Sequence, residues 1–129
     1  MQTVLIVDDY APGVEWAMAA LDALDCDLIS TEGGKSALLT IRLRMPDLTL
    51  LDLHMADMDG FSVVRELRSD TATARLCIVA FTASAMSGDR AVALNAGFTE
   101  FITKPIGLAA FRGQVRNLLT VETQDRRLP

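Results

Sequence analysis

The sequence predicts an α/β fold: a single doubly wound sheet of five parallel strands in the order 2-1-3-4-5, with helices on both faces. Three observations lead there. Five short apolar runs, "VLIV" (4–7), "DLIS" (27–30), "LTLLDL" (48–53), "LCIVAF" (76–81) and "FTEFIT" (98–103), have the length and the branched or aromatic content of strands. Stretches of helical length and period separate them, and strict alternation of this kind implies a parallel sheet covered on both sides. Runs 1, 3 and 4 are continuously hydrophobic, as central strands must be. Runs 2 and 5 carry Ser30 and Thr99, Glu100 and Thr103, as suits edges.

The elements follow in order. The first strand ends in Asp8-Asp9. Trp16, Ala20, Leu21 and Leu24 then mark a helical face, with Pro12 suited to its first turn. After strand 2, "GGKS" (33–36) has the end of a phosphate loop but not its beginning, since Ile29 stands where the first glycine belongs; it reads as a turn into helix 2, which carries Ala37, Leu38 and Ile41. Strand 3 places Asp52 directly after Leu50 and Leu51. "MADMDGFSVVRE" (55–66) superficially fits a calcium loop, but Met55 at its first position cannot ligate a hard cation. Helix 3 carries Val63, Val64 and Leu67. Strand 4 runs up to Thr82, and Val92 and Ala96 lie on helix 4, which Gly97 is placed to end. Strand 5 runs into Lys104-Pro105. Leu108, Phe111, Val115, Leu118 and Leu119 mark the last helix, where Gly113 has no visible reason. The domain is expected to span 1–119, with a loose polar tail over 120–129.

At 129 residues the chain suits one domain, and half of it is apolar, enough for a core. No apolar run approaches the roughly 18 residues of a membrane span, and no basic segment precedes the first apolar stretch as in a signal peptide. Cys26 and Cys77 lack metal or redox spacing, which fits buried thiols in a reduced, cytoplasmic protein. The net charge of −5 argues against direct nucleic-acid binding through a basic face.

In open parallel sheets ligands bind at the carboxyl ends of the strands, at the switch in strand order. Here that point lies between strands 1 and 3, where Asp8, Asp9 and Asp52 meet. Three carboxylates in one crevice repel each other, and a hard divalent cation relieves this; magnesium takes oxygen ligands from one or two carboxylates and keeps waters or phosphate oxygens. Lys104 adds a second positive charge and Thr82 a hydroxyl. With no other nucleophile in the set, the site suits phosphoryl transfer onto Asp52.

The set "DD" after strand 1, "LLDLHMADMDG" around strand 3, "FTA" after strand 4 and "KP" after strand 5 resembles the receiver domains of two-component response regulators, chemotaxis-type domains with a flavodoxin-like sheet. The resemblance covers about residues 3–119. It implies that Asp52 is the phosphoacceptor, that Asp9, Asp52 and the His54 carbonyl hold magnesium with Asp8 acting through water, and that Thr82 and Lys104 bind the phosphoryl oxygens. It also implies a cis Lys104–Pro105 bond, and a switch in which the Phe101 ring swings inward as Thr82 moves. The implied phosphodonor is a sensor histidine kinase or a histidine phosphotransfer protein. The implied output is a protein contact through the face of helix 4, strand 5 and helix 5, without a membrane or nucleic acid. Such a domain catalyses only its own phosphorylation and dephosphorylation. Three details depart from the family pattern. Ala56 stands where proline is usual, so the loop is expected to be more mobile. Phe101 lacks the hydroxyl of the frequent tyrosine. His54 and Ser84 occupy positions that tune phosphate lifetime.

Blander readings exist for each residue. Asp8 or Asp9 could cap helix 1, Thr82 could cap helix 4, Lys104 could be a solvated lysine, and Phe101 could be edge-strand core. His54, the only histidine, suits a backbone contact better than a phosphohistidine role. Alternatives for the whole chain are a receiver module of a hybrid histidine kinase, an interaction module that is never phosphorylated, and a small aspartyl-phosphate phosphatase. The last wants Asp-x-Asp, whereas His54 follows Asp52 by two. With about ten residues after the last helix, no output domain is expected, and Met1 close to strand 1 favours a stand-alone chain.

Overall fold

In the computed structural model, residues 1–83, 88–104 and 106–127 are described, with side chains as far as 120. The order is β1 (Gln2–Val7), α1 (Ala11–Leu21), β2 (Cys26–Thr31), α2 (Gly34–Arg44), β3 (Leu48–Leu51), α3 (Gly60–Ser69), β4 (Ile78–Thr82), α4 (Asp89–Ala96), β5 (Glu100–Thr103) and α5 (Leu108–Arg127). All pairings are parallel and the strand order is β2-β1-β3-β4-β5. Thus the predicted topology holds.

The two faces of the sheet are separate cores, and side-chain alternation along each strand sorts residues between them. Leu5, Val7, Leu51, Ile78 and Ala80 pack with Ala37, Leu38 and Ile41 of α2, Val63, Val64 and Leu67 of α3, and Ala93 of α4. On the other face, Val4, Ile6, Leu48, Leu50, Val79 and Phe81 pack with Ala17, Ala20 and Leu21 of α1 and with Phe111, Val115 and Leu119 of α5. Phe111 is fully buried and stacks on Phe81 with ring centres 4.9 Å apart, while Trp16 tilts against Phe111 at 5.0 Å.

Helix boundaries follow local chemistry. Pro12 lies in the first turn of α1, as expected. Asp59 caps α3 by accepting the Ser62 N–H at 2.9 Å. Gly97 ends α4 with φ of 118°, a conformation costly for any residue with a Cβ. The expected loose tail differs: α5 continues through 120 to Arg127, eight residues past the last apolar position of its buried face. The polar tail has no proline and no glycine before its end, so nothing in its backbone chemistry stops the helix. Cys77 is buried, but Cys26 is only partly so. Among the described residues no helix is long and apolar enough to cross a membrane.

Candidate functional site at the carboxyl end of the sheet

Register brings the acids together. Val7 pairs with Leu51, and the ladder continues one step as Asp52 N–H donates to the Val7 carbonyl at 3.0 Å. Asp8 and Asp52 are the next members of the series Val4, Ile6 and Leu48, Leu50, which line the α1/α5 core. Ile102 belongs to that core too, and two residues on Lys104 continues its side of β5. Apolar runs on one face of β1, β3 and β5 therefore end in two acids and a lysine, with β4 lying between the last two strands.

The Lys104 ammonium lies 2.7 Å from Asp8 Oδ2 and 4.0 Å from Asp52 Oδ2. It also sits 4.8 Å from the centre of the Phe81 ring, whose negative face favours a cation. Asp8 is almost wholly buried, and Asp9 is exposed at the rim. One oxygen from each of Asp8, Asp9 and Asp52 lies within 4.8 Å of the others. The set of hard oxygen donors fits a divalent cation such as magnesium, and the direction in which the Asp52 carboxyl is pushed points the same way. Burial pushes the Asp52 carboxyl above its ordinary value, and the Asp8 carboxylate adds to this. The His54 N–H, which donates to Asp52 Oδ1 at 3.2 Å, and the Lys104 charge pull it down without winning. One ammonium does not balance three crowded carboxylates; a second cation would.

The remaining predicted residues fall as follows. Thr82 ends β4, is 1% exposed, and accepts the Lys104 N–H on its carbonyl at 2.8 Å. It does not cap α4, whose cap is Gly88. Asp8 does serve the start of α1, since its Oδ1 accepts the N–H of the cap residue Tyr10 at 2.9 Å while Oδ2 faces Lys104. His54 is exposed. Phe101 is 9% exposed and packs in the core beneath α2, α3 and α4. Ser84 and the Lys104–Pro105 bond lie outside the described residues.

Sequence reasoning missed the framework of the β3–α3 loop. Ala56 N–H donates to Asp9 Oδ2 at 3.1 Å, a bond that proline has no hydrogen to make. Asp57 reaches across to α2, accepting the N–H groups of Gly34 at 3.0 Å and Lys35 at 3.2 Å. Gly60 lets the loop close, because a Cβ there would lie 2.7 Å from the Asp52 carbonyl oxygen. The loop expected to be slack for want of proline is thus tied at two points. A possible signal was the bare "GG" at the start of α2, whose exposed donors need an acceptor, but nothing local points to a residue so far along the chain.

Residues 4–116 match the family described as "Response regulator receiver domain". Over 115 residues the chain is 36% identical to the response regulator PleD of Caulobacter vibrioides, covering 89% of this chain and a quarter (25%) of PleD's length. It is 29% identical over 118 residues to the polar-differentiation response regulator DivK of Brucella anthropi, covering 92% of this chain and 96% of DivK. Among solved structures, the signal receiver domain of a signal transduction histidine kinase from Syntrophus aciditrophicus superposes with a TM-score of 0.83 at 26% identity, covering 93% of this chain and 91% of that one. With the family matched over most of its length and the fold and acid cluster in agreement, this chain belongs to the response regulator receiver domains of two-component signalling.

Proposed function

We propose that the domain is a cytoplasmic switch that accepts a phosphoryl group on Asp52 from the phosphohistidine of a sensor histidine kinase or a histidine phosphotransfer protein. The observation that carries this reading is the joint position of the three acid oxygens within 4.8 Å and the Lys104 ammonium between Asp8 and Asp52. Asp8, Asp9, Asp52 and the His54 carbonyl would hold magnesium. When bound, the ion supplies positive charge to the acid cluster and to the equatorial phosphoryl oxygens.

Asp52 Oδ1 is held by the His54 N–H, which leaves Oδ2 as the oxygen for attack. A new P–O bond forms as the P–N bond of the donor breaks, and the imidazole leaves with the electron pair and takes a proton from water. Lys104 is tied to Asp8 and seated over Phe81, so its charge is in place before the phosphoryl group arrives. Burial of Thr82 at the end of β4 supports its role as a hydroxyl donor to that group.

Output through α4, β5 and α5 is supported by how Phe101 is held. Arg90 of α4 pairs with Glu100, and the Glu100 carboxylate accepts the Phe101 N–H at 2.9 Å. A shift of β5 at Phe101 would therefore reach α4. The same face carries a cavity of about 320 Å³ lined by Arg90, Glu100, Phe101, Gln114, Asn117 and Leu118, into which a partner side chain would fit.

The test is incubation with magnesium and acetyl phosphate followed by intact-protein mass spectrometry. A transient single adduct, absent in Asp52→Asn, is the expected result. An adduct that persists in the variant would remove Asp52 from its role. Multiple turnover of phosphate esters would favour a phosphatase, and no adduct even with active kinases would favour an interaction module.

A further inference from the structure

The β3–α3 loop carries the His54 backbone and borders Asp9, so its position decides what an ion meets. It makes two long-range polar contacts that no local motif requires. One is the Ala56 N–H to Asp9 Oδ2. The other is the Asp57 carboxylate, exposed yet accepting from both Gly34 and Lys35 at the first turn of α2, one oxygen to each. Those N–H groups have no acceptor within their own helix, and the positive end of the helix favours a carboxylate. The fit is close: a Cβ on Gly33 would lie 2.8 Å from the Asp57 carboxylate, and one on Gly34 2.8 Å from Met58 Cβ. Two glycines are therefore needed for the loop to lie flat against the start of α2.

We propose that Ala56 and Asp57 form a two-point strap, anchored on α2, that holds Asp9 and the loop backbone in position to receive the divalent cation, the stiffness that the family's usual proline supplies by its ring being supplied here by hydrogen bonds. The proposal rests on the metal-binding reading above. Asp57 is a positioning residue in it, touching neither the ion nor the phosphoryl group. Fixing a ligand before binding removes the entropy cost of ordering it afterwards, and partners of this kind commonly change metal affinity by about 10- to 100-fold.

The charge of Asp57 would also attract a cation from a distance, so the variants must separate the two effects. Asp57→Ala removes both the acceptors and the charge. Asp57→Asn removes the charge but keeps one carbonyl acceptor for the helix. Asp57→Glu keeps the charge on a chain one methylene too long for the seat. Magnesium chloride is titrated into each full-length protein by calorimetry, and amide exchange of Ala56, Gly34 and Lys35 is followed by NMR without metal. The strap predicts that magnesium Kd rises about tenfold in Asp57→Ala, less in Asp57→Asn, and measurably in Asp57→Glu, with Ala56 protection falling in the same order. Equal weakening in the alanine and asparagine variants with an unchanged glutamate variant would show a bare charge effect and overturn it. So would unchanged affinity in all three. A wild-type protein that binds no magnesium would instead sink the metal-binding reading, and this proposal with it.

Discussion

The two ends of the sheet solve opposite problems. At the carboxyl end, three acids crowd together, one ammonium reaches two of them, and burial leaves Asp52 reluctant to ionise. At the amino end of β4 and β5, a single guanidinium bonds through all three of its nitrogens. Arg68 of α3 donates from Nε to the Gly97 carbonyl at 2.8 Å, from Nη1 to the carbonyls of Ala74 at 3.0 Å and Leu76 at 2.7 Å, and from Nη2 to Thr99 Oγ1 at 3.2 Å. Thr99 Oγ1 in turn accepts the Ile78 N–H, and the buried Thr73 hydroxyl donates to the Leu67 carbonyl at 2.6 Å. One end is left with unbalanced charge that a ligand can relieve. The other joins α3, α4 and the starts of two strands through hydrogen bonds from all three guanidinium nitrogens. The contrast teaches that one sheet can keep its frustration at one end while it is bolted at the other, the arrangement that the proposed switch would need.

Substitutions at the two ends should accordingly separate function from stability. The largest effect is expected at the site. Asp52→Asn should abolish the acetyl-phosphate adduct while raising, not lowering, the unfolding midpoint of the metal-free protein at neutral pH. The sign follows from linkage. A carboxyl raised above its ordinary 3.8 in the folded state binds more protons folded than unfolded, so stability falls as pH rises from there through the folded value. The gain in Asp52→Asn should therefore be present above that window and vanish below it, as urea titrations at several pH values would show. A variant less stable than wild type at neutral pH would break the contrast.

At the opposite end, Arg68→Ala strands several carbonyls and should cost about 3 kcal/mol in urea denaturation, with the adduct still forming at temperatures where the variant is folded. Loss of phosphorylation in a folded Arg68→Ala protein would mean that the two ends are coupled. Thr73→Val keeps the shape and removes one buried hydroxyl, for an expected loss of about 1 kcal/mol by the same measurement. The smallest effect is a gain. A Cβ on Gly113 would meet nothing within 4 Å, so Gly113→Ala should stabilise α5 by about 0.5–1 kcal/mol and leave both ends as they are.

Much of the site was legible because strand periodicity and charge coincide. Asp8, Asp52 and Lys104 each follow an apolar run, and a parallel sheet leaves few ways to arrange five such runs. Asp57 was not legible. Its partners Gly34 and Lys35 are distant in sequence, and a carboxylate in a polar loop looks the same whether it is solvated or bonded to a helix. Arg68 was hidden for the same reason: on a helix an arginine reads as solvated surface until the carbonyls around it are known.

By itself the sequence determined the order and kind of elements, because hydrophobic period is a local property that backbone geometry enforces residue by residue. It also determined which strand ends carry charge. Only the tertiary structure decided which oxygen of Asp8 faces Lys104, that Ala56 answers to Asp9, and that Asp57 closes the start of α2. Those are contacts between residues remote along the chain, and hydrogen bonds are decided by tenths of an ångström that periodicity does not encode.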